Sequence, residues 1–200
     1  MTDQRFTPGP NSIENEFRQM LLSRLSDYAV LFPDEQNTTR AFIQFVAGSV
    51  HCFHRSNLYG HVTGSVWLLS PDRHHVLLTH HKKLNTWVQP GGHADGDGCI
   101  SRVALTEAHE ESGISKIELL SESIFDIDIH PIPRIGDVPE HLHFDVRYLC
   151  VAGNTRYVVS EESHDLAWAP ITGISEFTGD ASVIRMADKW LRRVASARNQ

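Results

Sequence analysis

The chain has 200 residues, and its 40% hydrophobic and 22% charged residues are ordinary for a globular protein. The formal net charge of −7 argues against a general nucleic-acid-binding surface, and the sequence contains no apolar run near the ~20 residues that span a bilayer. Three widely spaced cysteines and a polar amino terminus predict reduced thiols in a cytoplasmic protein, without a disulfide framework or a signal peptide.

The first predicted elements are two amphipathic helices. Apolar residues recur at helical spacing over residues 13–32, and Pro33 ends this pattern. A second helix is predicted over about residues 35–47. We interpret residues 1–50 as an N-terminal helical extension to a main domain over residues 51–200. The apolar faces of these helices are expected to pack on the main domain or, in a homodimer, on a second subunit.

A strand-rich region follows, interrupted by one helix and closed by another. Strands are predicted at about residues 61–66, 75–80, 116–120, 125–130, 141–148 and 165–169. The first two strands are expected to pair as a hairpin through a turn at residues 70–73. Helices are predicted over about residues 100–112 and 181–197. This order favours an α+β fold, with a mixed sheet flanked by helices, over a doubly wound parallel sheet.

Three of the predicted strands carry polar side chains on one face. These residues are His61, Thr63 and Ser65, then Asp126, Asp128 and His130, and finally His141, His143, Asp145 and Arg147. A sheet covered by helices carries such residues where the face lines a pocket, although any single polar face is equally consistent with contact with solvent. Three such faces together favour a shared cleft.

The segment between Gly91 and Gly113 combines a glycine-rich loop with a short helix. Gly113 is placed to end the helix in the left-handed conformation. The helix carries Glu107, Glu110 and Glu111 on one face, where like charges repel by roughly 0.2–0.5 kcal/mol per pair. A divalent cation would relieve this repulsion, and carboxylate oxygens suit Mg²⁺ or Mn²⁺. The alternative is an acidic surface patch that faces solvent.

The same segment resembles the Nudix box, G-x5-E-x7-R-E-U-x-E-E-x-G-U, where U is a bulky apolar residue. The positions in register are Gly92, Glu107, Glu110, Glu111, Gly113 and Ile114, with Ala108 at a U position. Residues 87–91 also resemble the usual lead-in to this box. Two positions depart from the pattern, because Gly98 replaces a glutamate and Thr106 replaces an arginine that helps to orient the metal-binding carboxylates.

The resemblance covers about residues 60–195 and implies a Nudix-like α/β/α sandwich that hydrolyses a phosphoanhydride bond. The implied substrate is a small molecule, either a nucleotide or a nucleoside diphosphate linked to another group. The three glutamates would bind Mg²⁺ or Mn²⁺, with the backbone carbonyl of Gly92 or Gly91 as a further ligand. Substrate phosphates are expected to contact Gly91, Arg147 and the Lys82–Lys83 pair.

The resemblance also implies a general base that takes a proton from the attacking water. In the family this base is either a glutamate of the box or an acid from a late loop. Glu107 is the first choice here by position. The late-loop alternatives are Glu161, Glu162 and Asp165, although such a group of acids is more often a solvated turn.

A set of histidines resembles a second kind of metal site. His54, His61 and His93 are placed much like the metal-binding histidines of isopentenyl diphosphate isomerase, which shares the Nudix fold. An isomerase is disfavoured, because Gly91 stands where that enzyme has its active-site cysteine. The implied transition-metal site would be drawn from His54, His61, His93 and either His141 or His143. Imidazole nitrogens suit Mn, Fe, Zn or Ni better than Mg²⁺, whereas a lone histidine is more often structural.

A different class of function is a non-catalytic module that binds a nucleotide or a metabolite. Gly98 and Thr106 favour this function, because both depart from the box pattern. The presence of all three glutamates favours a hydrolase instead. The sequence downstream of the box contains no short signature that identifies the substrate.

Overall fold

The structure is a computed structural model that describes residues 10–82, 85–161 and 163–198. Its helices are α1 (Pro10–Leu31), α2 (Gln36–Gly48), α3 (Ile100–Ser112), α4 (Ile174–Phe177) and α5 (Ala181–Arg198), with 3₁₀ turns at Pro33–Glu35 and Ile171–Gly173. Its strands are β1 (Gly60–Leu69), β2 (His75–His81), β3 (Thr86–Val88), β4 (Gly91–His93), β5 (Ile117–Leu119), β6 (Asp126–Ile132), β7 (His141–Ala152) and β8 (Ser163–Pro170). The helices and strands predicted from periodicity are confirmed to within a few residues at their ends. Across the described ranges, no helix combines the length and the apolar character needed to cross a membrane.

A parallel pair of long strands forms the centre of the sheet. β1 and β7 are in register from Gly60 and Leu142 to Leu69 and Val151. On the other side of β7, β6 and β5 pair antiparallel with successive parts of the strand. The sheet is therefore mixed, as the order of elements predicted.

The predicted hairpin of β1 and β2 is confirmed only next to its turn. Among the described residues, these strands pair only at Leu69 and Val76, because β4 occupies the edge of β1 along residues 63–65. β2 instead pairs antiparallel with β8 over residues 75–81 and, at its end, with β3. The glycine loop thus enters the sheet as a strand of its own, directly beside β1.

Helices cover both faces of the sheet. On one face Val66 packs with α3 and the N-terminal helices, and on the other face Trp67 packs in a second cluster with Trp190 of α5. Gly64 allows α3 to approach the sheet closely, because a Cβ atom there would lie 2.9 Å from the carbonyl oxygen of Ile100. The predicted α/β/α sandwich is confirmed.

The N-terminal helices belong to the same hydrophobic cluster as the sheet. Leu25 of α1 and Phe42 of α2 are fully buried in that cluster. The ring of Phe45 stacks on Phe144 of β7, with 3.8 Å between the ring centroids. These apolar faces therefore pack on the main domain, which is the first of the two expected arrangements. The division of the chain at residue 50 stays a prediction.

Candidate functional site

The two glycines of β4, which precedes α3 in the chain, make room for a carboxylate. α3 ends at Gly113, whose φ of 65° is the left-handed conformation expected from the sequence. Glu107 of this helix places its carboxylate against Gly92 of β4. A Cβ atom at position 92 would lie 2.2–2.5 Å from the carboxylate atoms of Glu107, so that any larger residue would displace the glutamate.

The other two glutamates of α3 line the same cleft but differ in exposure. Glu111 is 6% exposed, and its Oε1 accepts a long hydrogen bond of 3.4 Å from the backbone N–H of Gly91. Glu110 is exposed to solvent at the cleft. The structure thus brings the three acidic residues that the sequence singled out to one cleft, with Glu107 and Glu111 beside the glycines of β4.

The polar strand faces line this cleft too, and its volume is about 790 Å³. The lining residues on the strands include His61, Thr63, Ser65, Asp128, His130, His141, His143, Asp145 and Arg147. The shared cleft expected from the alternation of polar residues is therefore present. Its volume is in the range of sites that enclose small molecules.

Asp145 organises the floor of the cleft. Its carboxylate accepts hydrogen bonds from Thr63 Oγ1 at 2.9 Å and from Ser65 Oγ at 2.8 Å. Gln89 donates from Nε2 at 3.2 Å, and Arg147 donates from Nε at 2.8 Å. Alternation with apolar neighbours was the only sequence signal for the strand residues among these. That signal indicated the face of the sheet but not the contacts.

Arg147 lies beneath this floor, with 2% of its side chain exposed. Its guanidinium contacts Asp145 at 2.8 Å, Asp126 at 3.1 Å and Asp128 at 3.6 Å. The sequence led us to expect contact between Arg147 and substrate phosphates. Such contact would require breaking a buried ion network, which is costly. This burial disfavours direct contact between Arg147 and phosphate, and that contact stays a prediction.

Three histidines from three strands converge in the cleft. The ligand nitrogens of His61, His93 and His143 all lie within 4.8 Å of one another, so these side chains could hold a metal ion. His61 and His143 are register partners on β1 and β7, and His93 of β4 is the partner of Thr63. The ring of His141 is also close, with its centroid 4.9 Å from that of His61.

Burial keeps two of these histidines neutral. The pKa of His61 is lowered to about 4, mainly by desolvation and also by His93 and His141, while the backbone of Asn57 acts in the opposite direction. The pKa of His143 is lowered to about 2, mainly by desolvation and also by the neighbouring histidines. At neutral pH both rings are uncharged, and each keeps a lone pair for a hydrogen bond or a metal ion.

The structure does not bring His54 to this cluster. Nε2 of His54 lies 3.1 Å from Oε1 of Glu14 on α1, and the ring lies against Gly96. His54 is not among the described residues that line the cleft. Its spacing in the sequence relative to the other histidines therefore did not predict its position in the fold.

The late-loop acids lie elsewhere as well. Neither Glu161 nor Asp165 lines the cleft described here. Lys82, expected to contact phosphate, is exposed and donates from Nζ to the carbonyl oxygen of Glu161. Lys83 and Glu162, which were predicted to contribute beside them, lie outside the described residues.

Comparisons with known proteins identify the fold. No protein-family model matches the sequence, and no curated protein matches it. An Ap4A hydrolase from C. elegans superposes with a TM-score of 0.54 at 16% identity, over 68% of this chain and 98% of the other. The Nudix hydrolase RenU from M. smegmatis superposes with a TM-score of 0.51 at 18% identity, over 70% of this chain and 88% of the other. A NUDIX-family hydrolase from Clostridium perfringens superposes with a TM-score of 0.50 at 24% identity, over 65% of this chain and 95% of the other. The chain therefore has the fold of the Nudix hydrolases.

Proposed function

We propose that this chain is a metal-dependent Nudix-type hydrolase that cleaves a phosphoanhydride bond in a nucleotide or a nucleoside diphosphate derivative. The proposal depends above all on the seating of Glu107 against Gly92, with Glu111 beside Gly91, at a cleft of about 790 Å³. The fold supports it, because the chains that share this fold include Nudix hydrolases and an Ap4A hydrolase.

The residues present at the glycines of β4 fit a divalent cation. The carboxylates of Glu107 and Glu111 approach these glycines, where a side chain at position 92 would collide with Glu107. A third carboxylate, of Glu110, is exposed at the same cleft. Oxygen donors of this kind suit Mg²⁺ or Mn²⁺, and the carbonyl of Gly92 would be a further oxygen ligand. When bound, the cation would balance phosphate charge and lower the pKa of a coordinated water.

The charge balance of the cleft supports a bound cation. Of the described residues that line it, the lysine and arginine side chains are those of Arg55 and Arg147 alone. Arg55 is ion-paired with Asp95, and Arg147 is surrounded by three aspartates. A pyrophosphate would otherwise meet a cleft dominated by carboxylates, and the two sets of negative charges would repel each other.

The side chains of the cleft have distinct roles in this proposal. Glu107 takes the proton from the attacking water, since its half-buried carboxylate lies against Gly92 at the cleft and the described late-loop acids lie outside the cleft lining. Glu110 and Glu111 serve as metal ligands. Asp145 and Arg147 hold the floor of the cleft in place and do not touch the reacting bond.

The test measures release of phosphate or pyrophosphate from nucleotides, sugar nucleotides and dinucleotides, with Mg²⁺ or Mn²⁺. We expect Glu110→Gln and Glu111→Gln each to lower turnover by about 10²–10³-fold, as the loss of a preorganised electrostatic group does. Glu118→Gln is the matched control, because Glu118 is exposed on β5 and does not line the cleft. Full turnover in both cleft variants, with wild-type melting temperatures, would contradict the assignment.

The same experiment tests the non-catalytic module, and the structure bears on the isomerase. Binding of a nucleotide without turnover under either metal would establish the non-catalytic module that Gly98 and Thr106 favour. The isomerase loses further support from the structure, because a Cβ atom at position 91 would lie 2.2 Å from the Cβ atom of Ser65. A cysteine at that position would not fit beside β1 without displacing the strand.

A further inference from the structure

The hydrolytic site proposed above assigns no role to the histidine cluster of the cleft. His61 and His143 are paired across the parallel strands β1 and β7, and His93 lies on the neighbouring strand β4. Side chains at paired positions of adjacent strands share one face of the sheet. The register of the sheet therefore brings these three imidazoles together on rigid elements.

His61 is buried without a well-formed hydrogen bond. It is 2% exposed, and neither Nδ1 nor Nε2 has a partner in hydrogen-bond geometry among the described residues. Leaving a buried polar group unpaired is costly, so native structures nearly always supply a partner. The ring centroids of His93 and His143 lie 5.1 Å and 4.8 Å from that of His61. A cation shared by the three rings would give His61 the partner that it lacks.

A chain of hydrogen bonds determines which nitrogen of His143 carries a lone pair. Nδ1 of His141 lies 2.9 Å from the carbonyl oxygen of Pro139, and because a carbonyl only accepts, this nitrogen carries the proton. Nε2 of His141 is then an acceptor, and it lies 3.3 Å from Nε2 of His143, which donates. Nδ1 of the neutral His143 ring keeps its lone pair. Hydrogen bonds of this kind fix the tautomer of histidines that ligate metals.

We propose that His61, His93 and His143 bind one divalent transition metal, with Zn²⁺ as the reference ion, in a site distinct from the three glutamates. Tetrahedral ligands at about 2.0–2.1 Å from Zn²⁺ lie roughly 3.4 Å apart. The three nitrogens already lie within 4.8 Å of one another, so side-chain rotations that shift each nitrogen by about 1 Å close the site around the ion. Neutral imidazoles select such a metal over Mg²⁺.

Three protein ligands leave the fourth position of a tetrahedral ion open. All three histidines line the cleft, so this position takes water or a phosphate oxygen of a bound substrate. The contact with substrate rests on the proposed hydrolase function, whereas the metal site itself does not. His141 is a positioning residue that acts through its hydrogen bond to His143.

The experiment uses the full chain, purified without a polyhistidine tag and stripped with a chelator. Zn²⁺ alone is titrated by calorimetry, and Co²⁺ is followed by its visible absorption. We expect one Zn²⁺ per chain and the intense visible bands of tetrahedral Co²⁺. We expect His141→Ala to weaken Zn²⁺ binding by about 10–100-fold, and His93→Ala or His143→Ala to weaken it further.

A second histidine pair provides the matched control. The rings of His80 and His164 have centroids 5.3 Å apart, but neither residue lines the cleft. The double variant His80→Ala, His164→Ala should bind Zn²⁺ as the wild type does. Glu111→Gln should also retain Zn²⁺, whether or not the protein hydrolyses a nucleotide, so the two proposals fail separately.

Three outcomes overturn the metal site. One is a stoichiometry clearly below one Zn²⁺ per chain in the wild type. The other is wild-type affinity in both His93→Ala and His143→Ala, with melting curves of the metal-free variants showing that they are folded. Loss of Zn²⁺ in Glu111→Gln would place the ion at the glutamates and would overturn the site in the same way.

Discussion

A close contact with Glu107 explains why residue 92 is a glycine. Its φ is not positive, so backbone conformation does not require a glycine there. The carboxylate of Glu107 fills the space where a Cβ atom would be. The glycine that opens the Nudix box pattern is therefore explained sterically, because it allows a helix side chain to lie directly against the β4 backbone.

His61 should make the stability of the metal-free protein depend on pH. Burial lowers its pKa from 6.5 to about 4, so the unfolded chain binds the proton more readily than the folded chain below pH 6.5. The contribution of this group to the free energy of unfolding is complete above pH 6.5. It falls by up to ~3 kcal/mol as the pH drops towards the folded pKa. Denaturant unfolding of chelator-treated protein at a series of pH values measures the effect.

The matched variants are His61→Leu, which removes the titrating ring, and His74→Ala, which changes an exposed histidine. We expect a weaker acid dependence in His61→Leu and a wild-type dependence in His74→Ala. The same loss of stability between neutral and acid pH in wild type and His61→Leu would refute the role of this residue.

Helix α1 occupies space next to the box. Gly98 stands where the box pattern has a glutamate, and a Cβ atom there would lie 2.4 Å from the Cβ atom of Phe17. Arg24 of α1 pairs with Glu122 at 2.7 Å, and Glu122 also accepts a hydrogen bond from Ser101 Oγ at 3.0 Å. The departure at Gly98 therefore accompanies the docking of α1 against the start of α3, and it leaves the three carboxylates of the helix in place.

Gly98→Ala should destabilise the protein through this contact. The added methyl group meets the first side-chain carbon of Phe17, so that the helix backbone has to shift, at a cost of about 1–3 kcal/mol. Each kcal/mol corresponds to about 2–4 °C in the melting temperature of a chain of this size. Gly48→Ala is the control, because a Cβ atom there meets nothing within 4 Å. Equal melting temperatures for the two variants would show that the contact of α1 with position 98 does not constrain this residue.

A buried ion network joins the sheet to the helices around it. Asp126 of β6 is fully buried and accepts from Arg147 at 3.1 Å and from Arg185 of α5 at 2.7 Å. Lys189 of α5 contacts Asp126 and reaches Glu35, at the junction of α1 and α2, at 2.6 Å. The position of Arg147, and with it the floor of the cleft, therefore depends on how the outer helices pack.

Asp126→Asn should be among the most destabilising single substitutions. It leaves three cationic side chains without their shared carboxylate, and breaking a buried ion pair in this way costs about 3–5 kcal/mol. The melting temperature should fall by about 10 °C, measured by calorimetry. Asp27→Asn, at an exposed position of α1, should melt as the wild type does. A small effect at Asp126 would mean that the network contributes little to stability.

Local patterns in the sequence were sufficient to predict the helix that carries the glutamates. Glu107, Glu110, Glu111 and the ending residue Gly113 are close in sequence, and their relation depends only on helical geometry. The alternation of polar and apolar residues likewise predicted which faces of β1, β6 and β7 are polar, because a strand has a period of two.

Contacts between distant segments could not be predicted in this way. The register of β1 on β7 places His61 opposite His143, and a shift of one residue would turn one of them to the other face of the sheet. His54 shares a histidine pattern with His61 but pairs with Glu14 of α1, and Arg147 is enclosed by aspartates from two strands. Sequence patterns alone predicted which polar side chains are candidates for the site and which helices and strands carry them, because both depend on short-range periodicity. Which of these side chains meet became evident only from the folded chain, because strand register and helix packing are interactions between residues far apart in sequence.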